Sequence, residues 1–333
     1  MTKKLIIKST RKKYKIFKNF KHIKLNKYKV LQNAFDNVDF SVNYTDKKFF
    51  KLPNGDAIFK IIEDETLILN EILASIIAKE LDVNCVEYKY ATYKKKGKTH
   101  KGVVSYNFVG KEERFVPCCN IIYTIHNTLE EIMNYIKSKD LDFYYQFNST
   151  DLEFDLFKII VFDYLICQTD RHDANFGFIV STNQQPKTLK VAPIFDNELS
   201  FGSVVNNTHT SLGKAINSNL LFSPFGCGEL PENQKRGYEY HELARDIAIY
   251  SQQKPALKLY LYQALKDFNI EKVFKKLEEV GIKLNPTQKQ WYSKILNKKI
   301  TALSYQIASV RRNETTSSKK GREKKKSTSS LYK

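Results

Sequence analysis

Between Tyr28 and Lys111 the apolar positions fall in short runs separated by polar turns. FFKL and AIFKII flank Pro53-Asn54-Gly55-Asp56, which predicts a β-hairpin with its turn at those four residues. Strand alternation in AIFK puts Ile58 and Lys60 on one face and Ala57 and Phe59 on the other. From Glu65 to Leu81 the period becomes helical, with Ile68, Ile72 and Ile76 on one line and Leu69, Leu73 and Ile77 beside it. Asp64 or Thr66 supplies the N-terminal cap. VEYKYATY and GVVSYNFV, separated by the polar KKKGKTHK, predict a second hairpin. Pro117 and the polar residues around it mark a boundary.

Beyond about Leu129 the periodicity is mainly helical. Asp151 to Cys167 reads as a helix that turns Leu152, Leu156, Ile159, Ile160 and Leu165 inward. FGFIV and TLKVAPIF, joined by the polar STNQQPK, read as two antiparallel strands, and His241 to about Val310 is again helical. No internal repeat is visible. The expected class is α+β, with a mainly β region at 31–116 and a mainly helical region at 117–310. A basic arm (1–30) precedes them, and a Ser-, Thr- and Lys-rich tail (311–333) follows, whose composition predicts disorder.

The net charge of +19 changes this picture less than its size suggests. Residues 1–30 carry twelve Lys/Arg and no acid, and 311–333 carry nine against Glu314 and Glu323. Residues 31–310 hold 34 basic and 34 acidic side chains, so the body is neutral and the charge lies at the ends. Those ends fit contact with nucleic acid through counterion release, or docking of a partner protein, an antitoxin-like one included. They also fit a coding bias toward lysine. Ile16, Phe20 and Ile23 recur at helical spacing in the arm, as a segment that docks on a surface would. Five cysteines without C-x-x-C spacing point to a reducing compartment, and the cytoplasm is the expected location. Cys167 reads as a core residue. No run of 18 apolar residues is present, so no membrane span is expected.

The candidate chemistry sits in TDRHDANFGFIV, residues 169–180, between two apolar runs. Burying its charged and amide groups unpaired would cost several kcal/mol each, roughly 2–7 for a neutral amide. Asp170 and Asn175 precede the first strand of the FGFIV/TLKVAPIF pair and Asp196 follows the second. An antiparallel pair returns the chain to its starting end, so Asn175 and Asp196 are expected to converge, with Asp170 beside them. Three such oxygens suit Mg²⁺, which takes few protein ligands and fills its shell with water and substrate phosphates. D-x4-N followed by a later Asp is the spacing phosphoryl transfer needs on a kinase scaffold. The alternative is a network of caps and turns, where Asp and Asn also belong. His172 and Asp173 raise a transition-metal site, but no second His or Cys stands at ligand spacing; His172 reads as a hydrogen-bonding residue of the loop. Arg171 fits an ion pair within the loop.

TDRHDANFGF and APIFDNELSFG together resemble the catalytic core of the HipA-like serine/threonine kinases, a bacterial toxin-kinase family with a two-lobed protein-kinase-like fold. The resemblance implies Asp170 as catalytic aspartate, Asn175 and Asp196 as metal ligands, and Asp196-Asn197-Glu198 where other kinases carry D-F-G. It further implies that Lys60 reaches the phosphates of ATP, that Glu71 pairs with Lys60, and that GVVSYNFV leads to the hinge that meets adenine. Glu63 or Glu65 are alternative partners for Lys60, and Lys60 could equally be a solvated strand end. The implied activity is Mg²⁺-dependent transfer of the ATP γ-phosphate to Ser/Thr of a protein. Asp-Arg-His is also similar to phosphoinositide-type lipid kinases, which implies a lipid or small-molecule acceptor as the alternative; a catalytically inactive nucleotide- or nucleic-acid-binding module is another. No G-x-G-x-x-G, P-loop or A-P-E segment is present, and SVNYTDKK shows no phosphate-binding loop.

Overall fold

The computed structural model describes residues 22–31, 47–118, 145–146, 149–171, 175–183, 187–202 and 240–329, with isolated helical positions at 130 and 134 and the backbone alone beyond 312. Ile16, Phe20, most of SVNYTDKK, His172 and Asp173 lie outside the described residues.

The first half is a six-stranded sheet: β1 (Ile23–Lys24), β2 (Lys29–Leu31), β3 (Lys47–Leu52), β4 (Gly55–Ile61), β5 (Lys89–Lys95) and β6 (Lys98–Tyr106). The spatial order is β1-β5-β6-β4-β3-β2. Pairing is antiparallel except for β1 on β5, where Ile23 faces Ala91. Both hairpins form. Pro53-Asn54 turns β3 into β4, and Lys96-Gly97 turns β5 into β6.

Alternation in β4 works as the pattern requires. Ala57 and Phe59 enter a small core with Leu25, Phe50, Leu52, Ala91 and Val104, while Ile58 packs against the main core. Lys60 shares the Ile58 face, toward α1 (Glu65–Glu80). The Asp64 side chain caps that helix by accepting from the Thr66 amide at 2.7 Å.

The second half contains β7 (Glu113–Pro117), β8 (Tyr145–Gln146), α2 (Ser149–Ile166), β9 (Gly177–Ser181) and β10 (Lys187–Val191). Its helices α3 (Tyr240–Gln252), α4 (Pro255–Asp267), α5 (Ile270–Glu279) and α6 (Pro286–Ser329) follow. The strands form a second sheet in the order β7-β9-β10-β8. One contiguous core joins α1, α2 and α3–α6, and all five residues expected to face inward from α2 are buried in it.

Three boundaries differ from expectation. The first sheet reaches back to Ile23, inside the stretch read as a basic arm, because Ile23 and Tyr28 cover the small core. It ends at Tyr106, and β7 pairs with β9 in the second sheet, so Pro117 ends a strand there instead of dividing two regions. The tail expected to be disordered continues α6 as helix to Ser329. Its Lys, Arg and Glu are good helix formers, and no proline interrupts the run.

Candidate active site

The site forms where α2 ends. Cys167 adopts a left-handed conformation (φ 54°) and the Gln168 amide donates back to the Asp163 carbonyl at 3.0 Å, which stops the helix. Gln168 then joins two strands of the loop. Its Oε1 accepts from the Thr169 and Asp170 amides at 2.9 and 3.0 Å, and its Nε2 donates to the Asp196 carbonyl at 3.1 Å.

Arg171 points inward and is 1% exposed. Nε and Nη2 meet the two Asp163 carboxylate oxygens at 3.0 Å each. Nη2 also donates to Asn197 Oδ1 at 2.5 Å. Nη1 donates to the carbonyls of Asn175 (3.0 Å) and Phe195 (2.5 Å), so one nitrogen spans the open end of the β9–β10 pair. The Asn175 Nδ2 donates to the Asp170 carbonyl at 2.8 Å, which leaves Oδ1 as the side chain's acceptor atom. Asp170, Asn175 and Asp196 thus hang from one hydrogen-bonded frame.

Across the cleft, the Lys60 ammonium meets three carboxylates. Glu71 Oε1 is at 3.1 Å, Glu198 Oε2 at 3.0 Å, and Asp196 Oδ1 is in direct contact. Glu63 and Glu65 go elsewhere: Glu63 lies 3.5 Å from both Lys98 and His100, and Glu65 lies 2.7 Å from Lys101. Glu71 is fully buried and its second oxygen accepts from the Asn197 amide at 2.8 Å. It therefore ties α1 to the backbone next to Asp196.

That backbone is unusual. Asp196 has φ 62°, a left-handed conformation uncommon outside glycine, though Asp and Asn enter it more readily than most residues. The bonds from Gln168 and Arg171 to the carbonyls of Asp196 and Phe195, and from the Asn197 amide to Glu71, hold it there. Gly102 permits the approach of β6 to Lys60, since a Cβ there would lie 1.9 Å from the Lys60 carbonyl oxygen.

The electrostatics show a shortage of positive charge. Burial pushes the Glu71 carboxyl up to about 7, with Lys60 opposing it. Burial likewise raises Glu198 against the pull of Lys60. For Lys60, the cost of burial is outweighed by Glu71, Asp196 and Glu198, and its ammonium lies well above the ordinary range. Asp196 is held below its ordinary value because Lys60 outweighs the effect of burial. Burial lowers Lys47, the second cation near the cluster. Glu71, Asp196 and Glu198 have carboxylate oxygens within 4.8 Å of one another, and all three share the single Lys60 ammonium. These three carboxylates are the groups that could hold a hard divalent cation. A cavity of about 570 Å³ opens beside Glu198, bordered by Lys48, Ile61, Leu67, Tyr93 and His100.

No family model matches the sequence, and no curated protein does. The crystal structure of a Helicobacter pylori proinflammatory kinase, CtkA, superposes with a TM-score of 0.65 at 14% identity, covering 86% of this chain and 99% of that one. The chain has a kinase-like fold. In that two-lobed α+β fold the six-stranded sheet with α1 forms the small lobe, and the helices with the second sheet form the large one. HipA of Shewanella oneidensis, solved with HipB and operator DNA, overlaps more loosely: TM-score 0.45 and 12% identity over 75% of this chain and 58% of its own. That overlap is too loose to place residues.

Within the kinase-like fold, four site members escaped the sequence reading. Glu198 stood two positions after Asp196, but its role needed the fold to bring Lys60 within reach. Asp163 had a signal: a lone acid inside the apolar run FKIIVFDYLIC needs a buried cation. Gln168 and Lys47 carry no local mark.

Proposed function

We propose that the chain is a Mg²⁺-dependent kinase that transfers the ATP γ-phosphate to a Ser or Thr hydroxyl of a protein. The observation that carries this reading is the meeting of Lys60, Glu71 and Asp196 across the cleft from the Asp170–Asn175 loop, in a kinase-like fold. Lys60 holds the phosphates, and Glu71 keeps its ammonium in place. Asn175 through Oδ1 and Asp196 through its carboxylate hold the metal. Mg²⁺, when bound, neutralises charge on the phosphates and leaves the protein the task of alignment. Asp170 orients the acceptor hydroxyl and receives its proton. Arg171 is committed to Asp163 and to backbone carbonyls, so it sets the shape of the loop and is withheld from the substrate.

Moving Lys60 from carboxylates to phosphates is electrostatically balanced only if a cation arrives with the nucleotide. Three carboxylates facing one ammonium, with Lys47 nearby, would otherwise be left repelling one another. The basic ends serve as docking surfaces for an acidic partner, an antitoxin-like protein or nucleic acid. Among the described residues no helix is long and apolar enough to cross a membrane.

The test is incubation with γ-labelled ATP and Mg²⁺ in the presence of a protein acceptor and, separately, phosphoinositide vesicles. Label on Ser or Thr of protein, the chain itself included, and its loss in Asp170→Ala is the expected result. Label confined to lipid overturns the acceptor class. No label anywhere overturns the enzyme reading in favour of a binding module.

A further inference from the structure

Helix α1 is bound to the large lobe along its length. At its C-terminal end Glu80 pairs with Lys272, at 2.7 Å, and with Lys276, both on α5. The Tyr260 hydroxyl donates to the Leu81 carbonyl at 2.9 Å, and Lys158 donates to the Asp82 carbonyl at 2.7 Å. The connection near the site is more specific. Asn70, the neighbour of Glu71, donates through Nδ2 to the carbonyls of Glu198 (2.9 Å) and Ser200 (3.1 Å). Its Oδ1 accepts from the Tyr292 hydroxyl of α6 at 3.0 Å. Next to it, Trp291 donates through Nε1 to the Phe201 carbonyl at 2.9 Å, and the Tyr292 ring packs edge-on against Phe201.

Three carbonyls just after Asp196 are thus held by one residue of α1 and one of α6, with Tyr292 fixing the first. Asn70 is fully buried and Tyr292 is nearly so. An asparagine in a helix buried among Ile68, Leu69, Ile72 and Leu73 would be costly without these bonds, and a leucine would fill the core as well. Its polarity is useful for holding the Glu198–Phe201 backbone.

We propose that Asn70, Tyr292 and Trp291 are positioning residues for the metal-binding segment, so that the C-terminal helix helps to set the site. This rests on the kinase reading above for its effect on rate, but the clamp itself can be judged separately. The experiment compares the full chain with Tyr292→Phe and with Tyr164→Phe. The second variant removes a hydroxyl that donates to the Lys299 carbonyl of the same helix at 3.3 Å, so it loses a comparable bond without touching the segment. Two readouts are taken: the Mg²⁺ concentration giving half-maximal phosphate transfer, and amide hydrogen exchange over residues 196–202.

Tyr292→Phe is expected to raise the Mg²⁺ requirement by about three- to tenfold, the worth of one buried hydrogen bond, and to speed exchange in the segment similarly. Tyr164→Phe is expected to change neither. Equal behaviour of the two variants overturns the positioning role. A wild-type chain that transfers no phosphate overturns the kinase reading instead, and exchange alone then decides the clamp.

Discussion

Two assemblies of cations and carboxylates face each other at the base of the cleft, and they are built on opposite principles. Arg171 and Asp163 are wholly enclosed; every contact of the guanidinium is matched, to one carboxylate, one side-chain amide oxygen and two backbone carbonyls. Lys60 keeps some solvent exposure, with one ammonium shared among three acids. The first arrangement has nothing left to bind and fixes the shape of the loop. The second sets more carboxylates around one ammonium than its charge can balance, as a site that admits a cation should. Near-identical side-chain chemistry therefore becomes a closed frame in one place and an unbalanced cluster in the other, according to whether its charges cancel.

The largest expected effect tests the enclosed assembly. Arg171→Met leaves Asp163 buried without its cation and should destabilise the fold by about 3–5 kcal/mol, measured by denaturant unfolding. A loss below about 1 kcal/mol would mean the pair is not the scaffold described. Next comes the strand that presents Lys60. Gly102→Ala forces a methyl against the Lys60 carbonyl and should cost about 1–3 kcal/mol, with transfer falling more than stability alone explains.

Glu198→Gln is the converse of the arginine substitution. It removes one of three acids competing for Lys60, so unfolding free energy should change by about 1 kcal/mol or less. A large loss of stability would show that all three charges are structurally required and blur the contrast.

A separate test lies in the pH dependence. The Glu71 carboxyl is raised from 4.5 to about 7 on folding, so between those values the folded chain holds a proton that the unfolded chain has released. Stability from this group is therefore present below about 4.5 and lost as pH rises toward 7. Thermal unfolding of Glu71→Gln, which cannot titrate there, should gain on the wild type as pH rises across that window. A constant difference would contradict the assignment.

Much of the frame was legible from periodicity because it depends on local rules. The β3–β4 and β5–β6 hairpins, α1 with its Asp64 cap, α2 and the β9–β10 pair each follow from spacing and turn residues within one short stretch of chain. The interior of α1 was read only in part. Its apolar lines were visible, but Asn70 and Glu71 are also buried, and nothing nearby in sequence shows that Tyr292, Ser200 and Asn197 will come to meet them. Glu198 was passed over for the same reason, since its partner lies 138 positions earlier. The boundaries failed where a short apolar segment joined a distant sheet, as Ile23 does on β5 and Phe115 does opposite Ile179.

The central claim is that Asp196 opposite Lys60 holds a metal for phosphate transfer. Its most direct test is the Mg²⁺-dependent transfer rate of Asp196→Asn beside its melting temperature. The account predicts a rate lower by about 100-fold or more, equivalent to roughly 2.7 kcal/mol of lost transition-state stabilisation, with a melting temperature equal to or above that of the wild type. A variant that keeps the wild-type rate would contradict it.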